Sequence, residues 1–112
     1  MTKYVQTAIL AAQYVQSGDN PVHAWERASC EVFALGSTSQ KKGCPKNAFI
    51  GLYTDSDTVN GHYAREGLAY LREHSSENIS PRELWEIITE RSGKAYNGQM
   101  DVVIALYKKH LV

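Results

Sequence analysis

Two cysteines, three prolines and no excess of either charge already exclude several kinds of protein. Cys30 and Cys44 are too few for a disulfide-stapled scaffold and form no C-x-x-C pair. His23, His62, His74 and His110 are scattered, with no two histidines at i, i+4, so neither a metal nor any cofactor is expected. Twelve basic residues balance twelve acidic ones. That balance creates no field to draw in nucleic acid, which is therefore not expected as a partner. No run approaches the roughly 18 apolar residues that cross a bilayer, and no membrane partner is expected. Near the start, Gln6, Gln13 and Gln16 interrupt the apolar run and no small-residue cleavage site follows, so no export is expected. Unpaired thiols then fit the reducing cytoplasm.

What is present reads as helix. At 43% hydrophobic and 21% charged, the 112 residues have the composition of one ordinary globular domain rather than of a disordered chain. Tyr4, Val5, Ala8, Ile9, Ala12 and Val15 recur at helical spacing until Gly18, predicting a first helix from Thr2 to about Ser17. Asn20-Pro21 caps a second, with Val22, Trp25, Ala28, Ser29, Val32 and Phe33 inward and Gly36 as its end. Ser37 to Gly43 has no apolar side chain and reads as a surface loop. Pro45 restarts helix, with Ala48, Phe49 and Leu52 inward. A fourth helix covers about Gly61 to His74, and a fifth begins at Ser80, where Pro81 and Glu83 complete a capping signal worth about 1 kcal/mol. From Asn97 the chain is apolar nearly all round, which suits a helix surrounded by the others. A strand over Val102 to Tyr107 fits the short β-branched run too, but no second segment offers to pair with it. The prediction is an all-α, compact single-domain bundle of about six short helices, residues 1–112, with the C-terminal helix in its centre.

The stretch from Ser37 to Lys46 carries the strongest functional signal. Between Val32 and Tyr53 there is no acidic residue, whereas Lys41, Lys42 and Lys46 cluster beside Ser37 and Ser39. The loop runs directly into a helix start, where unpaired amides and the positive end of the helix dipole favour an anion. Asn97 and Gln99, opening the central helix, are candidates to close such a site. The ligand-binding set is therefore Ser37, Ser39, Lys41, Lys42, Cys44, Lys46, Asn97 and Gln99, and the expected partner is a small anionic ligand or an acidic patch on a protein. The plainer reading of the same residues is a capped turn with solvated lysines.

Two alternatives stay open. Cys44, at a helix start among lysines, has the surroundings that favour a reactive thiolate, which would make the chain a small cysteine-dependent enzyme or redox protein. Seven tyrosines could instead furnish a homodimer patch for an adaptor. Cys30 reads as buried packing. Glu83, Glu86 and Glu90 beside Arg82 and Arg91 read as a solvated, salt-laced helix face rather than acid–base machinery.

Three motifs, Ser37-x-Ser39-x-x-Lys42-Gly-Cys44-Pro-Lys-x-Ala48-Phe49-Ile50-Gly51-Leu52, Pro81-x-Glu83-Leu84-Trp85 and Asn97-x-Gln99-Met100-Asp101-Val102-Val103-x-Ala105-Leu106-Tyr107, resemble a family of small uncharacterised bacterial proteins. The resemblance spans most of the chain. It implies a bacterial origin, on chromosomes and mobile gene cassettes, and brings no activity, cofactor or catalytic residue with it.

Overall fold

Side-chain caps define where most of the helices begin. In the computed structural model, which describes residues 2–34 and 36–112 and side chains at all of these other than 39 and 41, seven helical segments follow one another. They are α1 (Lys3–Gln16), α2 (Pro21–Val32), α3 (Thr38–Lys41), α4 (Gly43–Tyr53), α5 (Val59–Glu73), α6 (Pro81–Ile88) and α7 (Gln99–Lys108). Thr2 Oγ1, Asn20 Oδ1, Thr58 Oγ1 and Ser80 Oγ each accept an amide three residues on, satisfying a donor that the helix leaves orphaned. At α6 the Ser80 hydroxyl also donates to Glu83 Oε1, 2.9 Å away. The start of α4 is different: Lys42 is its N-cap and no side chain caps it.

The all-α prediction holds, and among the described residues there is no strand; Val102 to Tyr107 lies within α7. The segment expected as pure loop contains the single turn α3, and α4 starts at Gly43, two residues before Pro45. α2 ends at Val32 rather than Gly36. Among the described residues, no helix is long and apolar enough to cross a membrane.

α7 packs against α1, α4, α5 and α6, as a central helix must. Its two sides serve different cores. Val102 and Leu106 join Ala8, Ala11, Ala12, Ala24, Trp25, Ala28 and Phe49, while Met100, Val103 and Ile104 join Ala48, Ala64, Leu68, Leu71, Leu84 and Trp85. The alanine-rich faces of α1 and α2 let these helices approach closely around Trp25, whose ring lies 5.3 Å from that of Phe49. Each tryptophan thus anchors one core.

α4 and α5 cross at two glycines, Gly51 and Gly61, both buried. Beside this crossing, Arg65 donates to the carbonyls of Gly51, Thr54 and Ser56 at 3.1, 2.9 and 2.8 Å, tying the α4–α5 connection to α5. A half-buried guanidinium saturated in this way is a structural group. The turn after α6 is strained: Glu90 and Arg91 both take left-handed backbone, with φ of 56° and 55°. This conformation costs a residue with a side chain roughly 1–2 kcal/mol.

Candidate ligand-binding groove

Of the residues in the sequence-predicted set, Lys46 reaches a concave surface. A groove of about 420 Å³ lies between α2 and the segment running from Gly36 into α4, lined by Trp25, Glu26, Ser29, Cys30, Gly36, Gln40 and Lys46. Lys46 sits at its edge, half-buried, with Nζ 3.3 Å from Glu26 Oε1. That pair holds the ammonium over the groove from α4 while the carboxylate comes from α2.

The groove is largely apolar, and Trp25 borders it from the core beneath. The ring is 2% exposed, and its Nε1 is buried with no hydrogen-bond partner among the described residues. An indole N–H without an acceptor costs free energy of about 1–3 kcal/mol. The other tryptophan shows what the usual solution looks like: Trp85 Nε1 donates to the Lys94 carbonyl at 3.0 Å.

Cys30 corrects the expectation of a buried packing residue. The buried face of α2 is Ala24, Trp25, Ala28 and Ser29, and the next residue is turned about 100° further round the helix, so Cys30 is exposed and lines the groove. Its Sγ accepts from Gln40 Nε2 at 3.1 Å, and Gln40 Oε1 accepts from the Gly36 amide at 2.6 Å. Gln40 therefore pins the loop to α2 and shapes the groove's rim. Val22, also expected to face inward, is 43% exposed.

The rest of the predicted set is dispersed. The Ser37 hydroxyl accepts the Gln40 amide at 3.2 Å, so it caps the turn α3 rather than α4. Ser39 and Lys41 lie outside the described residues as far as their side chains go. Lys42 turns toward α1, with Nζ 5.8 Å from the centroid of the Tyr4 ring. Cys44 is half-buried in the first turn of α4. Pro45 has no N–H, so of the first three residues of α4 only Gly43 and Cys44 carry an amide hydrogen, and no side chain of Lys42 caps them.

At the start of α7, Gln99 is buried and occupied at both ends of its amide: Oε1 accepts from the Asn97 amide at 2.7 Å, and Nε2 donates to Asn60 Oδ1 at 3.0 Å. It joins α7 to the first turn of α5. Asn97 is half-buried beside it. This region and Lys42 share Tyr4 as a neighbour, since a Cβ on Gly98 would stand 3.8 Å from Tyr4 Cδ2.

The groove residues that sequence reasoning passed over are Trp25, Glu26, Ser29, Cys30 and Gln40. The available signal was Trp25, since a tryptophan on an inward face brings an N–H that must be satisfied somewhere. The rest depends on how the loop folds back over α2.

The sequence model of a family of unknown function, DUF6979, matches residues 1–112. The chain belongs to that family. Neither the curated proteins nor the solved structures include a match to it. The groove of this DUF6979 chain is therefore interpreted from its own chemistry.

Proposed function

We propose that this protein is a non-enzymatic binding module for a small ligand that carries a carboxylate or phosphate on an apolar body, held in the groove between α2 and the Gly36–Lys46 segment. One observation carries the reading: the buried Trp25 Nε1 with no acceptor beside a largely apolar groove edged by an ammonium. A ligand acceptor at that N–H would remove an unsatisfied donor, and its anionic end would meet Lys46. The Lys46–Glu26 pair stands only a small obstacle in the way, since exposed pairs of this kind contribute about 0.2–1 kcal/mol. The start of α4, which its N-cap residue does not cap through a side chain, adds the positive end of the helix dipole to the same segment. A reducing cytoplasmic setting in a bacterium accompanies this reading, supported by the two free cysteines.

The test is a thermal-shift screen of nucleotides, sugar phosphates and carboxylates, followed by ¹⁵N NMR of the two tryptophan indole N–H signals. A ligand present at about 100 times its Kd adds about 2.7 kcal/mol. A true ligand moves the Trp25 indole signal downfield as its N–H gains an acceptor. If every stabilising compound leaves that signal in place, this reading is wrong.

A second reading uses the thiol. Cys30, rather than Cys44, is the cysteine that combines exposure with an amide donor at its sulfur. It predicts alkylation of Cys30 faster than that of a model thiol at neutral pH, read by mass spectrometry.

A further inference from the structure

A second concave surface lies on the other core, and its chemistry differs from that of the groove. Arg82, Trp85, Glu86, Thr89, Arg91, Gly93, Lys94 and Tyr96 enclose about 260 Å³ beside α6 and the turn that follows it. Three cationic side chains and a single carboxylate line it, in a chain of zero net charge. Glu86 is engaged by Arg91 at 3.3 Å. Among the described residues, Arg82 and Lys94 have no carboxylate within ion-pair distance. Each lies instead over an aromatic face, Arg82 Cζ at 5.5 Å from the Tyr96 centroid and Lys94 Nζ at 5.8 Å from that of Tyr63.

The aromatic wall is held in place. Trp85 is 5.7 Å from Tyr96 and 5.0 Å from Tyr63, its indole N–H is fixed on the Lys94 carbonyl, and the Tyr96 hydroxyl both donates to Asp101 and accepts the Asp101 amide. The left-handed pair Glu90 and Arg91 bends the chain so that Arg91 and Lys94 come back over α6. Backbone held in this region is a feature that functional sites share. The sequence read Arg82, Glu86 and Arg91 as part of a solvated helix face; the bend after α6 brings Arg91 and Lys94 to the cleft that Arg82 and Glu86 already border.

We infer that this cleft is a second binding site, for a small planar ring bearing an oxyanion, either a phosphate monoester or a carboxylate. The ring would sit in the cleft that Tyr96 and the edge of Trp85 border, and the oxyanion would take the free N–H groups of Arg82 and the Lys94 ammonium. The size agrees: a cavity of about 150 Å³ takes a benzene ring, which leaves room for one head group. A cation over a ring face keeps its remaining donors available, so neither charge must break a strong pair to bind.

The probes are phenyl phosphate and benzoate, with inorganic phosphate and phenol as partial ligands, titrated into the full chain while both indole N–H signals are followed. Phenyl phosphate and benzoate should shift the Trp85 indole and the Gly93 and Lys94 amides saturably. Inorganic phosphate and phenol should each bind at least about ten-fold more weakly, because each lacks one half of the recognition. Arg82→Gln with Lys94→Gln, both at exposed positions, should weaken phenyl phosphate at least about ten-fold with an unchanged circular dichroism spectrum. An unmoved Trp85 signal, an unaffected double variant, or inorganic phosphate binding as well as phenyl phosphate would each overturn the inference. A shift of Trp25 alone overturns it too while supporting the groove, so the two sites stand or fall separately.

Discussion

Gly51 and Gly61 meet backbone to backbone: a Cβ on Gly51 would stand 2.3 Å from the Gly61 Cα and 2.8 Å from its carbonyl oxygen. Neither atom belongs to a flexible side chain that could step aside. Gly51→Ala must therefore push α4 and α5 apart and disturb the Arg65 bonds at the same crossing. Overpacking of this kind costs typically 1–3 kcal/mol and occasionally more, and a backbone clash belongs at about 3 kcal/mol or above. Urea unfolding of the variant is the measurement, and a loss below about 1 kcal/mol would contradict the geometry.

Lys46 and Glu26 act in opposite directions on an anionic ligand in the groove. Lys46→Ala should weaken such a ligand about ten-fold, the value of one charge-assisted contact of about 1.4 kcal/mol. Glu26→Gln should tighten it, because the variant removes the competitor for the ammonium. Isothermal titration calorimetry on both variants gives the two signs, and equal effects would place the ligand elsewhere.

Glu90 occupies a left-handed backbone position without being glycine. Glu90→Gly should raise stability by about 1 kcal/mol, as strain relief outweighs the added flexibility of the unfolded chain. Denaturant titration checks the sign. The gain should appear without any change at the cleft, since Glu90 does not line it.

Alkaline stability should report Tyr53. Burial raises its phenol from 10.0 to about 12, and its hydroxyl donates to the Leu111 carbonyl at 3.0 Å. The folded state binds this proton more tightly than the unfolded state does, so the contribution is intact below pH 10 and is lost as pH climbs through about 12. Tyr96 moves the same way, first through burial and then through its hydrogen bond to Asp101. Unfolding free energy measured across that window should fall less steeply in Tyr53→Phe than in the parent chain.

The helices were legible because their starts are written in short-range chemistry. Ser80-Pro81-Arg82-Glu83 places the beginning of α6 to the residue, and Asn20-Pro21 does the same for α2. α7 was legible as central because an apolar surface all round a helix has nowhere else to go. The groove was only half legible. Lys46 could be nominated from the absence of acids around it, but Glu26 is twenty residues away and meets it only after the chain has reversed. Cys30 was misplaced because a cysteine midway along an amphipathic helix was read as packing, although it falls outside the inward stripe of α2. The cleft at Arg91 escaped entirely, since it depends on two left-handed residues that carry no glycine to announce them.

Placing α7 between two cores has a consequence for how the molecule can open. Its Val102 and Leu106 side is sealed by α1, α2 and α4, and its Met100, Val103 and Ile104 side by α4, α5 and α6. Neither half can detach without stripping one flank of the shared helix, so α7 amides should exchange with solvent only through whole-molecule unfolding, and the slowest-exchanging protons should lie in that one segment.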